Sequence, residues 1–371
     1  MEEFNTIEDV AEAIKYKFNK PAKKKNKKKI LALYAFNSTG KTRMTNIMNE
    51  SEIDGEMENE SSGYKLKVLC YNAFLEDMFK WNNEDYILSF DPNSWIIRLV
   101  IDQGLEKDII DSFNNIINSK VEPSFNFIQG EVTFNFVSGD DNSQTNIKIS
   151  KGEESALIWS IFYAVLKTAI DSINTSEDNR TTTAFDDLEY IIIDDPVSSI
   201  DDTKIITIAI NLIESIQSYQ NNIVKFFITT HHALFYNVLV NSFRKDRNCN
   251  FEPLSLLKDN YILKLSTSDD SPFSYHLLVK DIIQKAIESN SVKKYHFNLF
   301  RNLLEKTANF LGYKQWYDCI FLEDNKDKFV RILNLYSHSK LSELESRELS
   351  SEDKSLFQEV FTNFIENFKW C

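Results

Sequence analysis

Short apolar runs that end in polar residues mark the first two thirds of the chain. Four of them have the length and composition of buried parallel strands, and they lie at Ile30–Tyr34, residues 65–74, Tyr190–Ile193 and Val224–Ile228. Segments with helical spacing lie between them, at residues 6–18, 43–48 and 104–119 and in the apolar stretch after Ser150. Because strands alternate with helices, this part of the chain is predicted to be an α/β domain.

The pattern changes in three places. Residues 122–148 alternate around the polar sequence GDDNSQ, which predicts a β-hairpin, and residues 241–264 form a charged, irregular bridge. After Pro272, glycine and proline are nearly absent and the spacing is helical, which predicts a mainly α-helical domain beginning near Ser266. The sequence therefore predicts two domains, residues 1–265 and 266–371.

The composition is typical of a soluble globular protein, with 42% apolar and 26% charged residues in a chain of 371. No run approaches the roughly 20 apolar residues of a membrane helix, and the N-terminal sequence has no apolar signal-peptide core. The scattered Cys70, Cys249, Cys319 and Cys371 are expected to be free thiols in a reducing compartment. We therefore expect a cytoplasmic protein without a membrane partner.

Charge is unevenly distributed along the chain. The net charge of −14 argues against indiscriminate binding of nucleic acid. Residues 271–340 hold eleven Lys/Arg and seven Asp/Glu, so this block carries +4 and suggests a local, selective anion site. Seven lysines between Lys20 and Lys29 are either a solvated linker or a contact to RNA phosphates.

A phosphate-loop pattern follows the first strand, where residues 35–42 read AFNSTGKT. They fit GxxxxGK(S/T), except that Ala35 replaces the first glycine. Gly40 frees the backbone so that the loop amides can face phosphate, and the nucleotide-binding residues are expected to be Asn37, Ser38, Thr39, Gly40, Lys41 and Thr42. In this pattern Lys41 contacts the β- and γ-phosphates and Thr42 holds Mg²⁺.

An acidic strand end stands at Tyr190–Asp202, in the sequence YIIIDDPVSSIDD. Carboxylates at the end of a buried strand need a partner, and nucleotide-bound Mg²⁺ is a common one. Asp194 is the expected metal ligand and Asp195 the expected catalytic carboxylate, although a core strand with an acidic turn has the same pattern. Asp is shorter than the more usual Glu, so slow hydrolysis is a further hypothesis.

Two more segments complete a nucleotide-hydrolysing set. Ser150, Gly152 and Glu153 open an apolar helix, either as a capped core helix or as a signature segment that binds a γ-phosphate. His231 follows the strand Val224–Ile228, where a switch histidine would lie. A γ-phosphate sensor usually carries Gln, and Asn72 is the nearest amide.

The order of phosphate loop, signature, acidic strand and switch histidine resembles an ABC-type ATPase head over residues 30–240. In such heads the signature contacts nucleotide held by a second subunit, so the resemblance implies a head-to-tail homodimer or a higher oligomer. Only about 100 residues separate Thr42 from Ser150, which leaves no room for a long coiled coil.

The C-terminal block contains three residues suited to acid–base chemistry on phosphate: Arg301, Glu305 and His338. Arg301 and Glu305 are four residues apart, so they share a helix face, and an ordinary surface ion pair has the same spacing. His338 could equally be a capping or core histidine. The aromatic side chains that could stack on splayed RNA bases, or could form the core, are Tyr275, Tyr295, His296, Phe297 and Trp316.

Nearly the whole chain resembles the bacterial anticodon nucleases of the PrrC type. The resemblance is carried by YAFNSTGKTR, YNAFLEDMFKW, SKGEESALIWSIFY, IIIDDPVSSIDD, FITTHHALFYNVL, SDDSPFSYH, KKYHFNLFRNLLEKTANFLGYKQW and NLYSHS. It implies an ABC-type NTPase head joined to a C-terminal ribonuclease that cuts lysine tRNA 5′ to the wobble base. The family's catalytic residues fall on Arg301, Glu305 and His338, and its anticodon-recognising Asp on Asp270, or on the neighbouring Asp269.

The resemblance also implies a regulatory setting. PrrC-type proteins are antiphage toxins kept latent by a type I restriction–modification complex, with GTP or ATP and Mg²⁺ as cofactors and dTTP as a stabilising ligand. A metal-independent ribonuclease uses the 2′-OH as nucleophile and leaves a 2′,3′-cyclic phosphate and a 5′-OH. Two other functions compete: a DNA-repair or DNA-end ATPase whose C-terminal helices only bind a partner, and a transporter's nucleotide-binding subunit.

Overall fold

The computed structural model describes the chain except residues 1, 21–26, 51–64, 137–145, 260, 268–273, 323–324, 338–348 and 369–371. At residues 50, 202–203 and 274–278 it describes the backbone alone. The chain divides into two compact units, Met1–Ser271 and Pro272–Cys371.

Unit 1 is an α/β domain. Its described strands are β1 (Glu2–Phe4), β2 (Lys28–Ala35), β3 (Val68–Tyr71), β4 (Phe79–Asn82), β5 (Ile87–Phe90), β6 (Val121–Asn126), β7 (Glu131–Phe136), β8 (Tyr190–Asp194), β9 (Lys225–Thr230), β10 (Cys249–Asp259) and β11 (Ile262–Thr267). Its described helices are α1 (Ile7–Asn19), α2 (Lys41–Glu50), α3 (Ala73–Asp77), α4 (Trp95–Asp102), α5 (Glu106–Ile117), α6 (Lys151–Asn174), α7 (Asp202–Ser218) and α8 (Ala233–Phe243).

A seven-stranded sheet in the order β1-β11-β10-β2-β9-β8-β3 forms the centre of unit 1. The five strands from β10 to β3 are parallel, so their carboxyl ends meet at one edge. Strand β9 lies between β2 and β8. The segments that follow these three strands therefore lie side by side, at the edge where open parallel sheets bind their ligands.

Apolar layers cover both faces of this sheet. Helices α1 and α2 bury Val10, Ile14 and Met44 against one face. Helices α4 to α8 pack on the other face with a second, four-stranded sheet in the order β4-β5-β7-β6. Helix α6 is long and apolar enough to cross a membrane by length and composition, yet 78% of its most apolar window is buried inside the unit, as in a core helix.

One prediction from the sequence pattern is incomplete and one is wrong. Residues 122–148 contain a turn that was not predicted, because β6 and β7 form a hairpin that turns at residues 127–130, with Asn126 opposite Glu131. The predicted turn at GDDNSQ lies outside the described residues, and the Ile147 amide after it donates to the Phe134 carbonyl of β7 at 2.9 Å. The segment 241–264 is not an irregular bridge, because it contains the end of α8, all of β10 and the start of β11. Strand β10 pairs with β2 over eight positions and so belongs to the central sheet.

Unit 2 is α-helical among its described residues, with α9 (Ser274–Glu288), α10 (Lys294–Leu311), α11 (Lys326–Ser337), α12 (Ser351–Phe368) and a short 3₁₀ turn at Trp316–Cys319. Phenylalanines from three helices form its core, including Phe297, Phe300, Phe329 and Phe357, all with no exposed surface. The Phe297 and Phe357 rings lie 4.5 Å apart. An α/β unit followed by a helical unit confirms the predicted fold class.

Candidate functional site

The phosphate-loop pattern forms a tight turn between β2 and α2. Ser38 and Gly40 both have positive φ, at 64° and 99°, and the Thr39 hydroxyl donates to the Phe36 carbonyl at 2.6 Å. A Cβ atom on Gly40 would lie 3.2 Å from Cδ1 of Ile7. Backbone conformation and the packing of α1 therefore both require glycine here.

Lys41 is buried at the mouth of the loop. Its ammonium group donates to the Ala35 carbonyl at 3.0 Å, the Phe36 carbonyl at 3.3 Å and Oδ1 of Asn37 at 3.4 Å. It also lies 3.7 Å from Oδ2 of Asp195. Because the ammonium group is already removed from water, its electrostatic attraction to a phosphate in the loop would be stronger than at an exposed site.

Asp194 ends strand β8 and is 4% exposed. Burial raises the pKa of its carboxyl group, against the hydrogen bonds that it accepts from the Thr229 and Thr42 hydroxyls. A buried carboxylate of this kind gains a compensating charge when a divalent cation binds. Because the Thr42 hydroxyl bonds to the same carboxylate, the two predicted Mg²⁺ ligands are adjacent.

Hard oxygen donors such as these suit Mg²⁺ held jointly by protein and nucleotide phosphate. No group of three or more His, Cys, Asp or Glu side chains is arranged to hold a metal within the described residues. A metal at this position would therefore take its remaining ligands from the nucleotide and from water.

Asp195 is next in sequence but has a different environment. Its carboxylate accepts hydrogen bonds from the Thr230 hydroxyl at 3.2 Å and the His231 amide at 3.3 Å, and Nδ1 of His231 lies 2.5 Å from Oδ2. Burial would raise the pKa of Asp195, but the hydrogen bond and charge of His231 and the charge of Lys41 outweigh burial and lower the pKa. Asp195 is therefore an ionised group that orients the His231 ring.

The signature residues open helix α6 as a capping box. The Ser150 hydroxyl accepts from the Glu153 amide at 3.3 Å, and the Ser150 amide donates to Oε2 of Glu153 at 2.7 Å. Ser150 remains exposed. A Cβ atom on Gly152 would lie 3.3 Å from the Ser199 carbonyl, so the start of α6 packs against the loop that follows Asp195.

Some side chains at this edge were not singled out by the sequence. Thr229 and Thr230 end strand β9, and each donates its hydroxyl to one of the two aspartates. Their position directly before His231 is the only sequence signal for them. Asn72, the suggested sensor, caps α3 by accepting from the Leu75 amide at 3.1 Å and donates to Asn46 at 3.1 Å.

In unit 2, Arg301 is held on three sides. Its Nε donates to Oε1 of Glu305 at 2.8 Å, one Nη donates to Oδ1 of Asn334, and its guanidinium carbon lies 4.9 Å from the Trp316 ring centre. The Arg301 side chain is 16% exposed and that of Glu305 is 42% exposed. Asn334 was missed because only the packing of α11 against α10 brings it to Arg301, and no local sequence pattern marks it.

Several predicted residues of unit 2 lie in the core or outside the described residues. His296 is 2% exposed and Phe297 is fully buried, so the alternative core interpretation applies to both. Burial lowers the pKa of His296, whose Nδ1 accepts from the Lys293 amide at 2.8 Å. His338, Asp269, Asp270 and the Tyr275 side chain are outside the described residues.

Two lysines of the basic run have structural partners. Lys28 is buried and donates to the Ile216 carbonyl at 3.1 Å and the Gln217 carbonyl at 2.5 Å, at the end of α7. Lys29 donates to the Phe18 carbonyl at 2.8 Å. These two ammonium groups are therefore engaged with backbone of unit 1, which favours a structural role for this end of the run.

The chain is similar in sequence to known proteins over most of its length. A protein-family model described as an AAA domain matches residues 102–366. A curated anticodon nuclease from Escherichia coli is 42% identical over 358 residues, which cover 91% of this chain and 89% of that protein.

Solved structures are similar over part of the chain. The SMC head domain from Thermotoga maritima has a TM-score of 0.32 and 12% identity, covering 65% of this chain and 91% of that one. RNase-L Inhibitor has a TM-score of 0.35 and 9% identity, covering 68% of this chain and 38% of that one.

Proposed function

Because this chain belongs to the anticodon nuclease family and carries an AAA domain, we propose that it cleaves tRNA in the anticodon loop under the control of a bound nucleoside triphosphate. The proposed substrate is lysine tRNA, cut 5′ to the wobble base. The proposed setting is the cytoplasm, where the chain acts as an antiphage toxin. Asp270 is the proposed anticodon-reading residue.

The observation that carries the nuclease proposal is the arrangement around Arg301. Glu305 and Asn334 hold the guanidinium from two helices, α10 and α11, and Trp316 covers its face. A guanidinium fixed in this way is preorganised to stabilise the negative charge of a pentavalent phosphorane. His338 follows the last residue of α11 directly in the sequence.

These groups support a metal-independent transesterification. The 2′-oxygen of the residue 5′ to the cut attacks the adjacent phosphorus, and the bond to the 5′-oxygen breaks. Glu305 and His338 share the two proton transfers, one removing the 2′-proton and the other protonating the leaving oxygen. The products are a 2′,3′-cyclic phosphate and a 5′-OH, and which residue is the base stays open.

Unit 1 is the proposed regulatory NTPase. Lys41 and the loop amides bind the phosphates of GTP or ATP, and Thr42 and Asp194 hold the Mg²⁺ ion, which neutralises phosphate charge. His231 faces the γ-phosphate. Ser150, Gly152 and Glu153 complete the site of a second chain in a head-to-tail homodimer or higher oligomer. We further propose a type I restriction–modification complex as the latency partner and dTTP as a stabilising ligand.

Mapping of tRNA ends in cells that express the full chain tests the nuclease function. Wild-type protein should give split lysine tRNA with cyclic-phosphate and 5′-OH ends, and Arg301→Ala should leave the tRNA intact. A synthetic anticodon stem-loop with 2′-deoxyribose at the residue 5′ to the cut should resist the purified protein. Intact tRNA with wild-type protein would favour the alternative of a DNA-repair or DNA-end ATPase, and 5′-phosphate ends would exclude transesterification.

A further inference from the structure

The Asp195 carboxylate has little capacity left to accept a proton. Its oxygens already receive hydrogen bonds from Thr230 and from both the amide and the ring of His231, and Lys41 lies 3.7 Å away. Because these donors occupy both of its oxygens, it is poorly placed to take a proton from a water molecule. The geometry suits orientation of the His231 ring better than deprotonation of water.

A second carboxylate, that of Glu76, lies near the same edge of the sheet. Strand β3 pairs with β8 so that Tyr71 is opposite Ile193, which places the segment after Tyr71 beside Asp194 and Asp195. The short helix α3 returns the chain toward the strand, and the Tyr71 hydroxyl donates to Oε1 of Glu76 at 2.8 Å. Among the described residues, no donor is placed on Oε2.

Four titratable neighbours act on Glu76. Burial raises the pKa of its carboxyl group, and the negative charges of Asp77 and Asp195 act in the same direction. The hydrogen bond from Tyr71 and the positive charge of Lys151, at the start of α6, lower it, and the net direction is upward. A carboxylate with a raised pKa and a free oxygen accepts a proton more readily than one with a lowered pKa.

We propose that Glu76 accepts the proton of the attacking water in nucleotide hydrolysis and that Tyr71 holds its carboxylate in position. This proposal rests on the proposed NTPase function of unit 1. The water oxygen bonds to the γ-phosphorus, and the bond from that phosphorus to the bridging oxygen breaks. The water proton passes to Oε2 of Glu76 and then to the released inorganic phosphate, so a nucleoside diphosphate and phosphate are formed. Asp195 is then a positioning residue for His231.

The first test is phosphate release by the full chain with saturating Mg²⁺–ATP and, in parallel, Mg²⁺–GTP. Glu76→Gln should lower the maximal rate by about 10²-fold or more. Its Kd for a fluorescent nucleotide analogue should change by no more than about threefold, because only the transition state loses an interaction. Asp77→Asn is the matched control, since it removes an exposed carboxylate from the same helix and should keep the wild-type rate at alkaline pH.

Tyr71→Phe tests proton transfer separately from structure. It removes the hydrogen bond that positions Glu76 and lowers its pKa, so the acidic limb of the pH–rate profile should move to higher pH and the rate on the alkaline plateau should fall as well. Asp195→Glu should slow hydrolysis, because the longer side chain displaces the His231 ring.

Three results would overturn the proposal: a Glu76→Gln protein with the wild-type rate, a Glu76→Gln protein that no longer binds nucleotide, or an unmoved acidic limb in Tyr71→Phe. A different result identifies failure of the proposed function itself. If wild-type protein binds nucleotide but releases no phosphate from either substrate, unit 1 is not an NTPase. The proposed role of Glu76 is then also excluded.

Discussion

At the scale of single residues, the adjacent Asp194 and Asp195 have different environments and therefore different proposed roles. Asp194 continues strand β8, so it is buried beside the Thr42 and Thr229 hydroxyls. Asp195 has a φ of 53°, a left-handed conformation that is uncommon for residues with a Cβ but more frequent for Asp and Asn, and this turn directs its carboxylate to His231 and Lys41. A conformation of this kind is held by surrounding contacts at functional sites.

The two aspartates should respond differently to loss of charge. Asp194→Asn should weaken Mg²⁺-dependent nucleotide binding by about tenfold or more, since it removes a proposed metal ligand. Asp195→Asn keeps a side chain that tolerates positive φ and should change this binding by less than about threefold. Titration of a fluorescent nucleotide with and without Mg²⁺ measures both effects. Equal losses in the two variants would contradict the separate roles.

The planar guanidinium of Arg301 should be required for tRNA cleavage. Lys cannot donate to Glu305 and Asn334 from one planar group, so Arg301→Lys should reduce tRNA cleavage by about 10²-fold or more despite its unchanged charge. Asn334→Ala should reduce the cleavage rate by about tenfold, because the guanidinium loses one of its fixed positions. Single-turnover cleavage of an anticodon stem-loop measures the rates.

Nucleotide hydrolysis serves as the internal control for both variants. It should be unchanged, because both substitutions lie in unit 2. If Arg301→Lys cleaves at the wild-type rate, the pair with Glu305 is an ordinary ion pair of a helix surface.

At the scale of elements, the phosphate loop depends on the packing of α1. Gly40→Ala places a Cβ 3.2 Å from Ile7 at a φ of 99°, which should cost roughly 2 kcal/mol of stability. For a unit of this size the melting temperature should fall by about 4–8 °C. Nucleotide binding should also be lost, because the loop amides must shift.

Ile7→Ala combined with Gly40→Ala separates the two causes in the same thermal unfolding experiment. It removes the steric contact and leaves the strained φ. The double variant should therefore show a smaller effect of Gly40→Ala than the wild-type background does. Equal effects in both backgrounds would assign the whole cost to the backbone.

The elements also show what the sequence pattern could and could not predict. The strands that end at Ala35, Asp194 and Thr230 were predictable, because a buried parallel strand is a short apolar run with polar residues after it. Strand β10 was missed because it contains Pro253 and charged residues, which are more typical of a loop or an edge strand than of a strand inside a parallel sheet. The turn at residues 127–130 was missed because GDDNSQ is the stronger turn signal in this segment.

The candidate site was predictable where its chemistry lies in consecutive residues and not where it depends on the meeting of distant segments. Lys41, Thr42, Asp194 and His231 belong to local patterns. The contact of Asn334 with Arg301 joins residues 33 positions apart, and no local pattern contains both. Only the pairing of α10 with α11 brings them together.

At the scale of the whole molecule, the E. coli anticodon nuclease is similar over 91% of this chain, so the similarity includes both units. Unit 1 on its own presents only part of the proposed nucleotide site. Ser150 and Gly152 open helix α6, and the exposed Ser150 caps this helix by accepting a hydrogen bond from the Glu153 amide. In the proposed head-to-tail dimer, this helix start completes the site of the other chain, where its N-terminal amides would face a γ-phosphate.

Mixing two inactive variants tests this arrangement. Lys41→Ala removes the phosphate-binding cation, and Ser150→Asp keeps the helix cap but places a negative charge toward the γ-phosphate of the partner chain. Each variant alone should hydrolyse no nucleotide. In a mixed dimer, one of the two composite sites combines an intact loop with an intact signature, so random pairing should restore about a quarter of the wild-type rate. Phosphate release from an equimolar, coexpressed mixture measures it. If the mixture is as inactive as each variant alone, Lys41 and Ser150 act in the site of a single chain. Pairing the two variant chains could then produce no intact site.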